Sequence, residues 1–88
     1  MARYMLEVGH DPADCVPELD SLMGHSHELL SRFSWACKDG QHVGWAIVEA
    51  GDESTARMLL PIRVRGKARV FAVYTFTPEE IKAMHESG

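Results

Sequence analysis

The chain is predicted to be an α+β domain built on a four-stranded antiparallel sheet. Residues 33–49 (FSWACKDGQHVGWAIVE) hold two β-rich runs about Asp39-Gly40, the mark of a tight hairpin. Residues 68–76 (ARVFAVYTF) are dense in β-branched and aromatic side chains. Helix-start signals recur at Asp11-Pro12, at Asp52, and at Thr77-Pro78-Glu79-Glu80. The elements therefore run strand, helix, strand, strand, helix, strand, helix. The first six form the split βαβ pattern of the ferredoxin-like fold, in which the first and third strands are central, and the seventh is an extra C-terminal helix. With 88 residues there is room for one core, so residues 1–88 are expected to form a single ferredoxin-like domain.

Residues 3–10 (RYMLEVGH) read as the first strand. Tyr4, Leu6, Val8 and His10 share one face, and Met5, Glu7 and Gly9 share the other. Glu7 then sits among apolar neighbours on a central strand. Burial would raise its pKa, unless it pairs with an arginine such as Arg69. Asp11 is the expected cap of the first helix, with Pro12 at its first position and Cys15, Leu19, Leu22 and Met23 at helical spacing. Pro17 would lose a backbone bond in that frame, so the helix either begins nearer Asp14 or bends at Pro17. Gly24 is a possible stop, and residues 26–30 resume a helical turn before Phe33.

A two-residue type I′ turn at Asp39-Gly40 sets the hairpin register. It pairs Lys38 with Gln41, Cys37 with His42, Ala36 with Val43, Trp35 with Gly44, and Ser34 with Trp45. Each indole then faces a small residue. One hairpin face carries Phe33, Trp35, Cys37, His42, Gly44, Ala46 and Val48; the other includes Val43, Trp45 and Ile47. Asp52 caps a second helix with Ala56, Leu59 and Leu60 on its apolar side, and Pro61 ends it. Residues 62–65 read equally as helix or extended chain. If extended, Arg63, Arg65, Lys67 and Arg69 would form one cationic stripe able to hold an anion; a solvated connector is the plainer reading. His25 and His27, two apart, are expected in solvent. In the final helix Thr77 and Glu80 form a capping box, with Ile81, Met84 and His85 on the inner side.

The last strand, like the hairpin, is apolar on both faces: Val70, Ala72, Tyr74 and Phe76 on one, Phe71 and Val73 on the other. Helices cover only one side of such a sheet, and the pattern leaves open which. The other side needs a partner, and a homodimer that packs sheet on sheet is the simplest solution.

Composition excludes some roles. A net charge of −4 argues against general nucleic-acid binding. Two cysteines, Cys15 and Cys37, do not make a disulfide framework, so a reducing compartment is expected. The first residues turn polar too soon for a signal peptide. No apolar run approaches the roughly 20 residues that cross a bilayer. A cytoplasmic location without membrane or nucleic-acid partners follows as the expectation.

The element order, the EVGHDPAD start, the W-x3-D-G-x-H-x-G-W-A-I-V-E-A middle and the KARVFAVYTFTPEEI end resemble small members of the dimeric α+β barrel superfamily. That group includes muconolactone-isomerase-like and antibiotic-monooxygenase-like proteins. The resemblance covers most of the chain as a pattern and implies dimerisation through the sheets. It carries over no catalytic residue.

The predicted topology gathers His10, Cys37, His42 and Arg69 at one end of the sheet, with Asp11 beside them. His10, Cys37 and His42 are candidate ligands for a soft or borderline metal, although their spacing matches no established zinc motif. A cross-strand pair of Cys37 and His42 beside a turn, with His10 a polar strand end, is the plainer reading and the one the spacing favours. Two main functional readings stand. In the first, a homodimer binds a small organic molecule in an apolar pocket lined by Trp35, Trp45 and Arg69. It acts as a cofactor-free isomerase or oxygenase, with Glu7, His10 and His42 handling protons. In the second, a non-enzymatic module holds a metal or ligand with the His/Cys cluster. A structural dimer without a site is the third possibility. No cofactor is required by the sequence.

Overall fold

In the computed structural model, which describes residues 1–87, a four-stranded antiparallel sheet carries helices against one face. The strands are β1 (Ala2–Gly9), β2 (Ser34–Trp35), β3 (Val43–Ala50) and β4 (Arg69–Val73), in the order β2-β3-β1-β4. The central pair is β1 and β3, as the element order predicts. Their register runs from Ala2 opposite Ala50 to Gly9 opposite Val43. The helices are α1 (Cys15–His25), α2 (His27–Arg32), α3 (Glu53–Met58), α4 (Ile62–Arg65) and α5 (Pro78–Ser87), with 3-10 turns at Pro12–Asp14 and Cys37–Asp39. Among the described residues no helix is long and apolar enough to cross a membrane.

The helices take the face that carries Leu6, Val8, Ala46, Val48, Ala50 and Val70. Leu22, Leu29, Ala56, Leu60 and Val64 close over it from α1 to α4. The choice follows side-chain size. β3 offers Gly44, Ala46 and Ala50 on this face, so helices approach closely, whereas its opposite face bears Trp45 and Ile47. Trp35 lies on the helix side, stacked on Phe33 with ring centroids 5.2 Å apart. The indole covers Gly44, where an added Cβ would overlap the ring.

Ser34 pairs with Trp45 and Trp35 with Gly44, as the hairpin register predicts. The connection itself differs. No residue but glycine has positive φ among the described residues, so Asp39 does not enter a type I′ turn. Cys37–Asp39 forms a 3-10 turn instead, and Gly40 alone is left-handed at φ 86°. Ala36 N–H donates to the Val43 carbonyl at 3.1 Å, which closes a six-residue loop. Six is an even number, so the alternation of faces survives the change.

The first helix begins at Cys15 rather than beside Asp11, which makes no side-chain cap. Pro17 thus occupies the third helical position, where an N–H would have no intrahelical partner, and nothing is lost. Gly24 lies inside α1. The break falls at the extended Ser26, whose Oγ accepts the Leu29 N–H at 3.1 Å and caps α2. Residues 62–65 are helical, so the cationic stripe does not form. Arg65 donates to the Leu60 carbonyl at 2.7 Å, Lys67 pairs with Glu18, and Arg69 pairs with Glu7. β4 ends at Val73, opposite Arg3, short of the expected Phe76.

The capping box of α5 is present: Glu80 N–H donates to Thr77 Oγ1 at 3.1 Å, and Thr77 N–H to Glu80 Oε1 at 3.3 Å. Its expected inner side is not. Every residue from 74 to 87 is exposed, including Tyr74, Phe76, Ile81 and Met84. This arm gives a radius of gyration of 15.7 Å, against about 12 Å for a compact chain of this length.

Two outcomes are expected. Gly44→Ala should destabilise the fold by about 1–3 kcal/mol in urea titration, because the methyl displaces the Trp35 ring. Gly24→Ala, in a helix with open space around it, should instead stabilise by up to about 1 kcal/mol. The cap of α3 has a pH signature. Thr55 N–H donates to Asp52 Oδ1 at 2.7 Å, and this bond holds the carboxyl below its ordinary pKa. A lowered native pKa means the cap stabilises above the unfolded value and is lost as pH falls through the native one. Asp52→Asn keeps the cap and should flatten the acid side of the stability–pH curve.

Candidate metal centre

The central register brings the ends of β1 and β3 together. His10 follows β1, His42 precedes β3, and His10 N–H donates to the His42 carbonyl at 3.0 Å. Their rings sit edge to face, 5.4 Å between centroids. The 3-10 turn places Cys37 above them, with Sγ 3.5 Å from His10 Nε2. The turn at Pro12–Asp14 reverses the chain after β1 and delivers Cys15, the first residue of α1, to the same spot. The ligand atoms of His10, Cys15, Cys37 and His42 all lie within 4.8 Å of one another, and all four residues are half-buried. Tetrahedral zinc, with bonds near 2.0–2.3 Å, needs ligand edges of about 3.3–3.8 Å, so small side-chain movements close the set.

His10 is held from behind. Its Nδ1 donates to Glu18 Oε2 at 2.7 Å, and both side chains are fully enclosed. That bond fixes the tautomer, leaving the Nε2 lone pair toward Cys37. Glu18 is the buried charged residue of the core, and Lys67 pairs with its other carboxylate oxygen. A carboxylate–histidine arrangement of this kind orients metal-bound histidines and raises their basicity. His42 Nδ1 is buried without a hydrogen-bond partner among the described residues. Orphaned buried polar atoms are rare, and a bound ion is one way to satisfy such a group. Burial, and then the neighbouring Cys15 thiol, push the Cys37 pKa up. The shift favours the protonated Cys37 thiol, whose proton a coordinated ion would displace.

The structure thus brings together the expected His10, Cys37 and His42. Asp11, exposed, lines a polar depression next to them with Gly9, His10, Asp14 and Lys67. Arg69 does not join. It lies on the opposite face of the sheet, where its Nη1 meets Glu7 Oε1 at 3.1 Å and its guanidinium lies over the Phe71 ring. Glu7 also accepts from Trp45 Nε1 at 3.1 Å. The sheet stands between Glu7 and the two histidines, so Glu7, His10 and His42 share no site. Trp35 and Trp45 likewise face opposite sides. A groove of about 510 Å³ lies between α2 and α3 along Leu29, Arg32, Val48, Met58 and Leu59, and holds none of these residues. His25 and His27 are exposed as expected, and His25 donates to the Leu59 carbonyl at 3.0 Å.

Sequence reasoning missed Cys15 and Glu18. Cys15 reads as one member of an apolar helical stripe, and its approach depends on the turn at Pro12–Asp14. Glu18 left a usable signal: it lies three residues after Cys15 and four before Leu22, on the buried stripe itself, where a carboxylate needs partners.

No protein-family model matches the chain, and no curated protein or solved structure matches it either.

Proposed function

We propose that this protein is a non-enzymatic metal-binding module that holds one transition-metal ion through His10, Cys15, Cys37 and His42. The convergence of two thiols and two imidazoles at one sheet end carries this reading. Four protein ligands in an S2N2 set favour a tetrahedral ion and leave no open position for substrate, as in structural zinc centres. The ligands come from the end of β1, the start of α1, the 37–42 loop and the start of β3. One ion would tie these four segments together. The organic-ligand reading draws less support, because Glu7 lies across the sheet from His10 and His42.

A homodimer forms the second part of the proposal. The strand order β2-β3-β1-β4 is that of a ferredoxin-like sheet. Its uncovered face bears Met5, Trp45, Ile47, Phe71 and Val73, and the arm from Tyr74 to Met84 adds further exposed apolar side chains. A second copy against this face, as in a dimeric α+β barrel, would remove the patch from water.

Protein purified without a tag should contain one equivalent of metal per chain by elemental analysis. The metal-free form should gain about 4 kcal/mol of stability at a thousandfold excess over Kd. Cys15→Ser and His42→Ala should each lose that gain. Substoichiometric metal in the wild type, with no stabilisation on zinc addition, would count against the module. For assembly, sedimentation should report a dimer at micromolar concentration. Ile47→Lys, on the uncovered face and 45% exposed, should yield a monomer whose metal content is unchanged. A wild-type monomer would sink the dimer while leaving the metal centre standing.

A further inference from the structure

The Glu18–Lys67 pair behind His10, with Glu18 enclosed and Lys67 at the surface, belongs to the same centre, and the inference drawn from it rests on the metal reading above. Glu18 is fully buried, yet it makes no contact with a second ligand: one oxygen takes the His10 Nδ1–H at 2.7 Å and the other meets the Lys67 ammonium. Lys67 reaches it from the turn that follows α4, and its side chain remains 40% exposed. The chain therefore encloses a carboxylate and imports a cation to neutralise it, at a position where an apolar residue would pack. Enclosing a carboxylate is costly unless it is paired and hydrogen-bonded, and here its partners are the His10 ring and Lys67.

We infer that Lys67 neutralises the carboxylate that orients His10, so that the two thiolates alone set the charge class of the bound ion, a divalent thiophilic cation over a monovalent one. The charge count gives the reason. When an ion binds, both thiols give up their protons to solvent and leave two thiolates. A divalent ion cancels these two charges, and the Glu18–Lys67 pair cancels itself, so the enclosed set is neutral. A monovalent ion, such as copper(I), leaves one uncompensated negative charge beside a buried carboxylate. Net charge in a poorly solvated site is expensive, so zinc-like ions are preferred. Asp11 and Asp14 also stand beside His10 and Lys67, but they face an open depression where water screens them. Glu18 is in addition a positioning residue, because it orients His10 and fixes the tautomer that presents Nε2.

These two roles separate in a pair of variants. Zinc(II) and, under anaerobic conditions, copper(I) are titrated against chromophoric chelators with the full chain. Glu18→Gln should weaken binding of both ions by about 10–100-fold, since it loosens His10. It should also lower the zinc-to-copper preference by about tenfold, since it removes a negative charge that disfavours the monovalent complex. Lys67→Met should move the preference the opposite way by a similar factor and spare most of the shared affinity. It lies at the surface side of the pair, so it keeps the test open if Glu18→Gln fails to fold. The double variant, where it folds, should return the preference to near the wild-type value while keeping the common loss. Preference ratios unchanged in Lys67→Met, or moving toward copper(I), would overturn the inference and leave the metal centre intact. Failure of the wild type to bind either ion would overturn the metal reading and this inference together.

Discussion

The antiparallel register of β1 and β3 is the constraint on which the rest of the structure depends. With Gly9 opposite Val43, it turns Leu6, Val8, Ala46 and Val48 to one face, and so decides where α1 to α4 pack. The same register stops the ladder at His10 and His42 and leaves their rings side by side. A slip of one residue would send Glu7 and Trp45 into the core and carry the histidines apart. Core and candidate centre are thus two consequences of one pairing, one along the strands and the other at their end.

The core is continuous with the centre. Phe33 stacks on Trp35, and the Trp35 ring lies 5.7 Å from that of His10. Beyond His10 the buried contacts change from apolar to ionic, through Glu18 to Lys67 at the surface. Rigid packing on one side and a charge-neutral pair on the other leave His10 little freedom. A ligand whose orientation is settled before the ion arrives loses less entropy on coordination. Cys37 and His42 are placed by the 37–42 loop, whose 3-10 turn is held by Asp39 N–H and Gln41 N–H donating to the Ala36 carbonyl. Part of the centre is therefore built on strands and helix, and part on a loop that an ion would order.

The sheet's two faces have different fates. On the helix side the small residues Gly44, Ala46 and Ala50 admit neighbours. On the other, Glu7, Trp45 and Arg69 form a polar cluster amid apolar side chains, and Glu7 keeps both carboxylate oxygens occupied. That cluster satisfies a charge on a face too apolar for solvent alone. The terminal arm adds to the same imbalance: α5 has a complete cap but no packing for Ile81 or Met84. A ten-residue helix is marginal without tertiary contacts, and its apolar side chains, like Ile47 and Phe71 on the uncovered sheet face, are exposed to water in the single chain.

Local chemistry in the sequence determined the strands, most helix starts, the hairpin register and the presence of His10, Cys37 and His42 at one sheet end. Those features depend on alternation, on caps such as Asp52 and Thr77, and on the opposition of Trp35 to Gly44, all of which act within a few residues or across one turn. What only the tertiary structure decided lies between elements. The helix face went to the side with small residues on β3, and Arg69 was taken by Glu7 across the β1–β4 pair. Cys15 and Glu18 joined the histidines because the turn after β1 aims the first turn of α1 back at the strand end. A residue's place in a helical stripe says that it will be buried, but not beside what. That is set by how elements far apart in the chain pack, and the approach of Cys15 and of the buried Glu18 carboxylate to the histidines emerges only there.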